Sequence, residues 1–142
     1  MSDEEAKAES TPSGTRKKIL LVDDDREIVE SMRIALDASG FETLVARDGN
    51  QGLAMVECED PDLVILDMMM PRVSGFIVLE RLKQHHRLSV PIIMLSANDS
   101  DQQRAYAEFL GADLYLHKPI RPAVLFQAVD QLCQPLAATV PA

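Results

Sequence analysis

The chain has 142 residues, 46% hydrophobic and 26% charged, the composition of a single globular domain with a real core. Its two cysteines, Cys58 and Cys133, have no CxxC spacing and no companion His or Cys set, which argues against a disulfide scaffold, a thioredoxin-like motif and a zinc site. The net charge of −9 falls only to −7 without residues 1–16, with 19 acids against 12 bases, so no basic stripe is available for nucleic acid.

In chain order, residues 1–16 are polar, begin with acids and lack large apolar side chains after Met1. They read as a flexible tail and not as a signal peptide. The longest apolar runs, such as Ile19 to Val22 and Pro91 to Leu95, stop far short of the roughly 18 residues a membrane span needs, and a cytoplasmic protein is expected. Between this tail and a second one, residues 135–142, short apolar runs alternate with helical spacing, which predicts a βα repeat. Lys18 to Val22 is the first strand. The helix after it has Ile28, Met32, Ala35, Leu36 and Ser39 on one face and Gly40 as its left-handed stop.

Phe41 to Ala46 is the second strand, and its helix carries Leu53, Ala54 and Val56 and ends at Asp60-Pro61. Leu63 to Leu66 reads as a strand buried on both faces. A Met-Pro loop leads to a helix with Phe76, Val78, Leu79 and Leu82 inward, then to a strand from Ile92 to Leu95. Asp99 or Ser100 caps the next helix, whose apolar side is Ala105, Tyr106, Phe109 and Leu110 and which Gly111 ends. Leu114 to His117 is the fifth strand. The last helix opens at Pro122 and buries Leu125, Ala128, Val129 and Leu132. Five βα units with right-handed crossovers predict an α/β, flavodoxin-like, doubly wound three-layer sandwich with a parallel sheet in the order 2-1-3-4-5.

Ligands of such sheets sit at the carboxyl ends of the strands. There stand Asp23-Asp24-Asp25 after the first strand, Asp67 after the third, Ser96 after the fourth and Lys118 after the fifth. The triplet and Asp67 flank the switch point and converge on one crevice. Unit charges about 4 Å apart repel by roughly 4 kcal/mol at an effective dielectric of 20, so the cluster calls for a cation. Oxygen ligands without His or Cys select Mg²⁺, with Mn²⁺ or Ca²⁺ as substitutes. The first βα loop has no glycine, which removes a dinucleotide or P-loop reading.

A carboxylate also serves as nucleophile in phosphoryl transfer. Asp67 stands alone after a buried strand and is the candidate, with Lys118 as a point-charge partner and Ser96 as a hydrogen-bond donor. Each has a plainer alternative: a helix cap for an acid, a turn residue for Ser96, a solvated charge for Lys118. The Asp-x-Asp at Asp23 and Asp25 offers another reading, a haloacid-dehalogenase-type phosphatase, although Glu27 occupies the Thr/Val place of that motif. The same fold used only as a binding module is the third.

Residues 17–134, with KKILLVDDD, PDLVILDMMMP followed by SG, PIIMLSA and GADLYLHKP in that order, resemble the receiver domain of bacterial two-component response regulators. The resemblance implies that Asp67 is the phosphoacceptor and that Asp24 is a direct Mg²⁺ ligand, with Asp23 acting through water. It implies that the Met69 backbone carbonyl completes the metal shell. Ser96 matches the switch hydroxyl, Lys118 the family lysine and Tyr115 the aromatic that turns inward on activation, and Lys118-Pro119 would be cis. Ser74-Gly75 departs from the frequent Asp-Gly, and Met69 makes the position two after the phosphoacceptor apolar.

A phosphorylation switch is therefore expected, not a conventional enzyme, though self-phosphorylation from a phosphodonor and autodephosphorylation go with it. The donor is a sensor histidine kinase or a histidine phosphotransfer protein. The short stretch after the last helix suggests output through a protein target or a homodimer, at the face of the fourth helix, fifth strand and fifth helix, with no nucleic acid or membrane. His85 and His86 read as a solvated face, His117 as structural or partner-facing, and Met68, Met69 and Met70 as loop packing. Tyr106 and Phe109 fall near the output face.

Overall fold

The computed structural model describes residues 16–70, 72–84, 90–97 and 100–133. Five strands, β1 (Lys18–Val22), β2 (Glu42–Ala46), β3 (Leu63–Asp67), β4 (Ile92–Ser96) and β5 (Leu114–His117), alternate with five helices. The helices are α1 (Arg26–Ala38), α2 (Gly49–Glu59), α3 (Gly75–Gln84), α4 (Asp101–Leu110) and α5 (Pro122–Cys133). All strand pairs are parallel, in the order β2-β1-β3-β4-β5. This is the predicted doubly wound fold. Among the described residues no helix is long and apolar enough to cross a membrane.

The side-chain period of two splits the sheet into two cores. Leu20, Val22, Val64 and Leu66 meet α2, α3 and α4, whereas Ile19, Leu21, Leu63 and Ile65 meet α1 and α5. Every residue of β3 and β4 is buried, as strands covered on both faces must be. Gly40 takes φ 95° just beyond α1, the left-handed stop its position predicted.

Several inward faces are corrected. In α1, Val29, Met32 and Leu36 are buried, while Ile28 and Ala35 are half-buried and Ser39 is an exposed cap. In α2, Val56 is buried but Ala54 is exposed; Gly49 and Gly52 are buried instead, where an added Cβ would press on Val78 and Val22.

The largest departure is α4, where Ala107 alone is buried. Tyr106 is 48% and Phe109 82% exposed, and Ala105 is exposed too. The small side chain of Ala107 sets the contact with the sheet, and residues at i−2 and i+2 then point away. The Tyr106 ring instead leans on Phe76 of α3, centroids 5.1 Å apart and tilted by 59°. Ser100 caps α4 by accepting from the Gln103 N–H; Asp99, His85 and His86 lie outside the described residues. Residues 1–15 and 134–142, which hold most of the two stretches read as tails, do so as well, while Arg16 donates to the carbonyls of Gly40 and Phe41.

Candidate functional site

The carboxyl ends of β1, β3, β4 and β5 bring four predicted residues together. Asp23, Asp67 and Ser96 are buried, at 1%, 3% and 0% exposure. Asp23 extends the sheet pairing beyond β1, its N–H donating to the Ala46 carbonyl at 3.1 Å, so its side chain is aimed by strand geometry. Lys118 reaches in from the end of β5, its Nζ 3.1 Å from Asp23 Oδ2 and 3.1 Å from Asp67 Oδ1. Its backbone N–H donates to the Ser96 carbonyl at 2.7 Å, which ties the ends of β4 and β5.

The acidic triplet divides. Asp24 is exposed at the mouth, while Asp25 turns away and becomes the N-cap of α1. Asp25 Oδ1 accepts from the N–H groups of Glu27 at 3.0 Å and Ile28 at 3.3 Å, and its own N–H donates to Asp23 Oδ1 at 2.9 Å. Two of the three acids therefore face Asp67, not all three, and the phosphatase reading loses its second aspartate to the helix. Asp25→Ala is expected to lower stability by about 1 kcal/mol through the lost cap while leaving phosphoryl uptake intact, checked by urea denaturation beside intact-mass labelling.

Carboxylate oxygens of Asp23, Asp24 and Asp67 all lie within 4.8 Å of one another. Burial first, and then the charge of Asp23, push the Asp67 carboxyl up to about 6 against the opposing pull of Lys118 and the Met69 N–H. Burial alone would lower Lys118; the charge of Asp23 and the bond and charge of Asp67 outweigh it, and its pKa is raised. Asp23 Oδ2 is buried and receives no directed hydrogen bond from the described residues, only the ionic contact with Lys118. A hard cation with oxygen preference fits this donor set: it would neutralise the repulsion that raises Asp67 and would serve the under-bonded Asp23 oxygen.

The remaining predicted residues are distributed as follows. Met69 is 66% exposed, whereas Met68 and Met70 are buried in the core at 1% and 8%. Tyr115 is 6% exposed, already inward, with the Arg104 guanidinium 5.1 Å above its ring. His117 is exposed on the strand while Lys118 turns into the site, as alternation requires, and Lys118-Pro119 is cis.

Gly75 is the site residue that the motif contained without disclosing its reason. Its N–H donates to the Met68 carbonyl at 2.9 Å. A Cβ there would overlap the Asp67 carbonyl oxygen and stand 2.7 Å from Met68 Cα. The SG dipeptide was the only signal in the sequence, and the close backbone approach behind it is a tertiary fact.

The family model described as the response regulator receiver domain matches residues 19–130. The transcriptional regulatory protein CpxR of Klebsiella pneumoniae is 48% identical over 102 residues, 72% of this chain and 43% of that protein; the chain thus spans less than half the length of such relatives. The receiver domain of Francisella response regulator 1452 superposes with a TM-score of 0.80 at 30% identity, covering 85% of this chain and 99% of that one. The CheX-CheY-BeF3-Mg²⁺ complex from Borrelia burgdorferi gives a TM-score of 0.78 at 25% identity, covering 84% and 90%. With the same fold, the same parallel order and a carboxylate crevice closed by a lysine, the chain belongs to the response regulator receiver domain family, phosphorylation-dependent signalling modules of two-component systems.

Proposed function

We propose that Asp67 accepts a phosphoryl group from the phosphohistidine of a sensor histidine kinase or phosphotransfer protein in the cytoplasm. The observation that carries this reading is the convergence of three carboxylates and one lysine on one crevice. An Asp67 oxygen forms the new O–P bond as the donor's P–N bond breaks; the electron pair leaves with the imidazole nitrogen, which is protonated from solvent. Asp24, Asp67 and the Met69 carbonyl would hold Mg²⁺, or Mn²⁺ or Ca²⁺ in its place, with Asp23 contributing through water. When bound, the ion offsets the charge of the transferring phosphoryl oxygens.

The protein's own groups do the rest. Lys118 keeps its ammonium against Asp67 Oδ1 and supplies a fixed positive charge to a phosphoryl oxygen. Ser96 donates its hydroxyl to the acyl phosphate. Because Lys118 and Ser96 are joined through the backbone, their adjustment passes to β5 and Tyr115. The output surface is then the α4-β5-α5 face, met by a protein target or a second copy. A receiver fold in one complex with BeF3 and Mg²⁺ supports both the anionic group and the metal.

Incubation with acetyl phosphate is expected to add one phosphoryl group to the wild-type chain by intact mass when Mg²⁺ is present and none after chelation. Labelling that is indifferent to the chelator would sink the metal assignment, and no labelling at all would sink the phosphoacceptor.

A further inference from the structure

Three helices cover one face of the sheet and two cover the other: α2, α3 and α4 pack on the Leu20 side, α1 and α5 on the Ile19 side. On the two-helix face the edge strand β5 is left short of cover. Leu114 and Leu116 are only half-buried there, whereas every residue of β3 and β4 is buried. The gap is a groove of about 640 Å³, floored by Leu114 and Leu116, walled by Val124 and Ala128 of α5, and edged by the exposed Gln127 and Gln131. Among the described residues that line it, Asp130 alone is charged.

Residues 134–142, QPLAATVPA, continue directly from this wall. Leu132 and Cys133 still pack against the core, so the segment starts beside the sheet. Its composition separates it from residues 1–15, whose acids Asp3, Glu4, Glu5 and Glu9 would be repelled by Asp130. Residues 134–142 carry no charged side chain. Between Pro135 and Pro141 the alternate residues Leu136, Ala138 and Val140 are apolar, and on an extended chain these three share one face. Pro135 disfavours helical backbone in the residue before it, which turns the chain out of α5. The helix rises about 1.5 Å per residue, so Val124 lies about 14 Å back from Cys133, and nine extended residues reach up to about 30 Å. The segment can therefore return along the groove with chain to spare for the turn.

We propose that residues 134–142 fold back antiparallel to α5 and lay Leu136, Ala138 and Val140 into the groove between β5 and α5. Covering Leu114, Leu116 and Val124 removes apolar surface from water, and no charge is buried in doing so. The groove adjoins the α4-β5-α5 face assigned to output, but the inference goes beyond that reading and holds whether or not Asp67 takes up a phosphoryl group. A partner that uses β5 and α5 meets a groove already held by the chain itself, and the segment acts as a tethered competitor at an effective concentration on the order of millimolar.

The test uses the full chain with ¹³C-labelled methyl groups, beside the full-chain variant L136D/V140D, whose new carboxylates Asp130 would repel. In wild type, nuclear Overhauser effects are expected from the Leu136 and Val140 methyls to those of Leu114, Leu116 or Val124, independent of protein concentration. The variant should shift the groove signals of Leu114, Leu116 and Val124 while those of Leu20 and Val64, in the opposite core, stay in place and report an intact fold. A synthetic peptide of residues 134–142 should then bind the variant at least about tenfold more tightly than wild type, whose groove is filled. Unshifted groove signals in the variant, equal peptide affinity for the two chains, or contacts to the smaller groove at Phe41 and Phe126 would each overturn the proposal. So would Overhauser effects seen only between labelled and unlabelled copies mixed together, which would assign the groove to a second copy of the chain. None of these measurements involves phosphoryl transfer, so their failure leaves the phosphoacceptor reading standing, and a wild type that takes up no phosphoryl group leaves the docked segment standing.

Discussion

Asp67→Asn is expected to abolish phosphoryl uptake from acetyl phosphate completely and at the same time to make the metal-free protein more stable. The two effects have one cause. Asp67 is held at 3% exposure beside Asp23, and burial followed by that charge moves its carboxyl from its ordinary 3.8 to about 6. A shift of about two units corresponds to on the order of 3 kcal/mol of disfavour toward the ionised form. The folded state binds more protons than the unfolded one between these values, so metal-free stability should fall as pH rises from about 4 to about 6 and then level off.

Asparagine keeps the shape, removes the repulsion and leaves Lys118 paired with Asp23 at 3.1 Å. Part of the gain is returned through the lost ion pair with Asp67, so a rise of about 1–2 kcal/mol at pH 8 is expected, and thermal unfolding with a chelator present measures it. That stability dependence on pH should be weaker in the variant. A variant that still gains a phosphoryl group would remove Asp67 from the mechanism, and one that is less stable than wild type in the metal-free state would show that the Lys118 pairing outweighs the repulsion.

Gly75→Ala is expected to be among the most damaging single changes around this site. At the first position of α3, alanine would gain up to about 1 kcal/mol in helix propensity. Against that, the new Cβ would overlap the backbone oxygen of Asp67 and press on Met68 Cα. Those are main-chain atoms of a strand end buried on both faces, so they cannot rotate away as a side chain would. Overpacking of this kind typically costs 1–3 kcal/mol, and the net effect should be a loss of at least about 1 kcal/mol in urea unfolding. Relief of the overlap requires α3 or the residues after β3 to shift, which displaces the Asp67 carboxylate from Lys118 and Asp23. Phosphoryl uptake should therefore slow markedly even in the folded fraction. Unchanged stability together with unchanged uptake would mean that the loop yields freely and that Gly75 does not position the site.

The parallel order and the placement of Asp67 at the carboxyl end of its strand were legible in the amino-acid sequence because both follow from local periods. Near-continuous apolar runs such as Leu63 to Leu66 belong only to doubly covered strands, and the residue at the end of each run necessarily stands on one rim. Asp67, Ser96 and Lys118 are found there because strand geometry leaves them no alternative.

What depended on the third dimension is of a different kind. Asp25 becomes a cap and not a facing acid because its extended backbone, φ −87° and ψ 107°, aims the carboxylate at the first N–H groups of α1; spacing alone treats the three aspartates as equal. Tyr106 and Phe109 turn outward because Ala107 alone sets the contact of α4 with the sheet, and a helix with few large apolar residues has no single face that composition can select. Gly75 meets the chain at residues 67 and 68, and Lys118 reaches Asp23 and Asp67 from the far end of another strand. Close approach and charge placement are relations between distant segments, so periodicity carried no trace of them and the folded chain alone decided them.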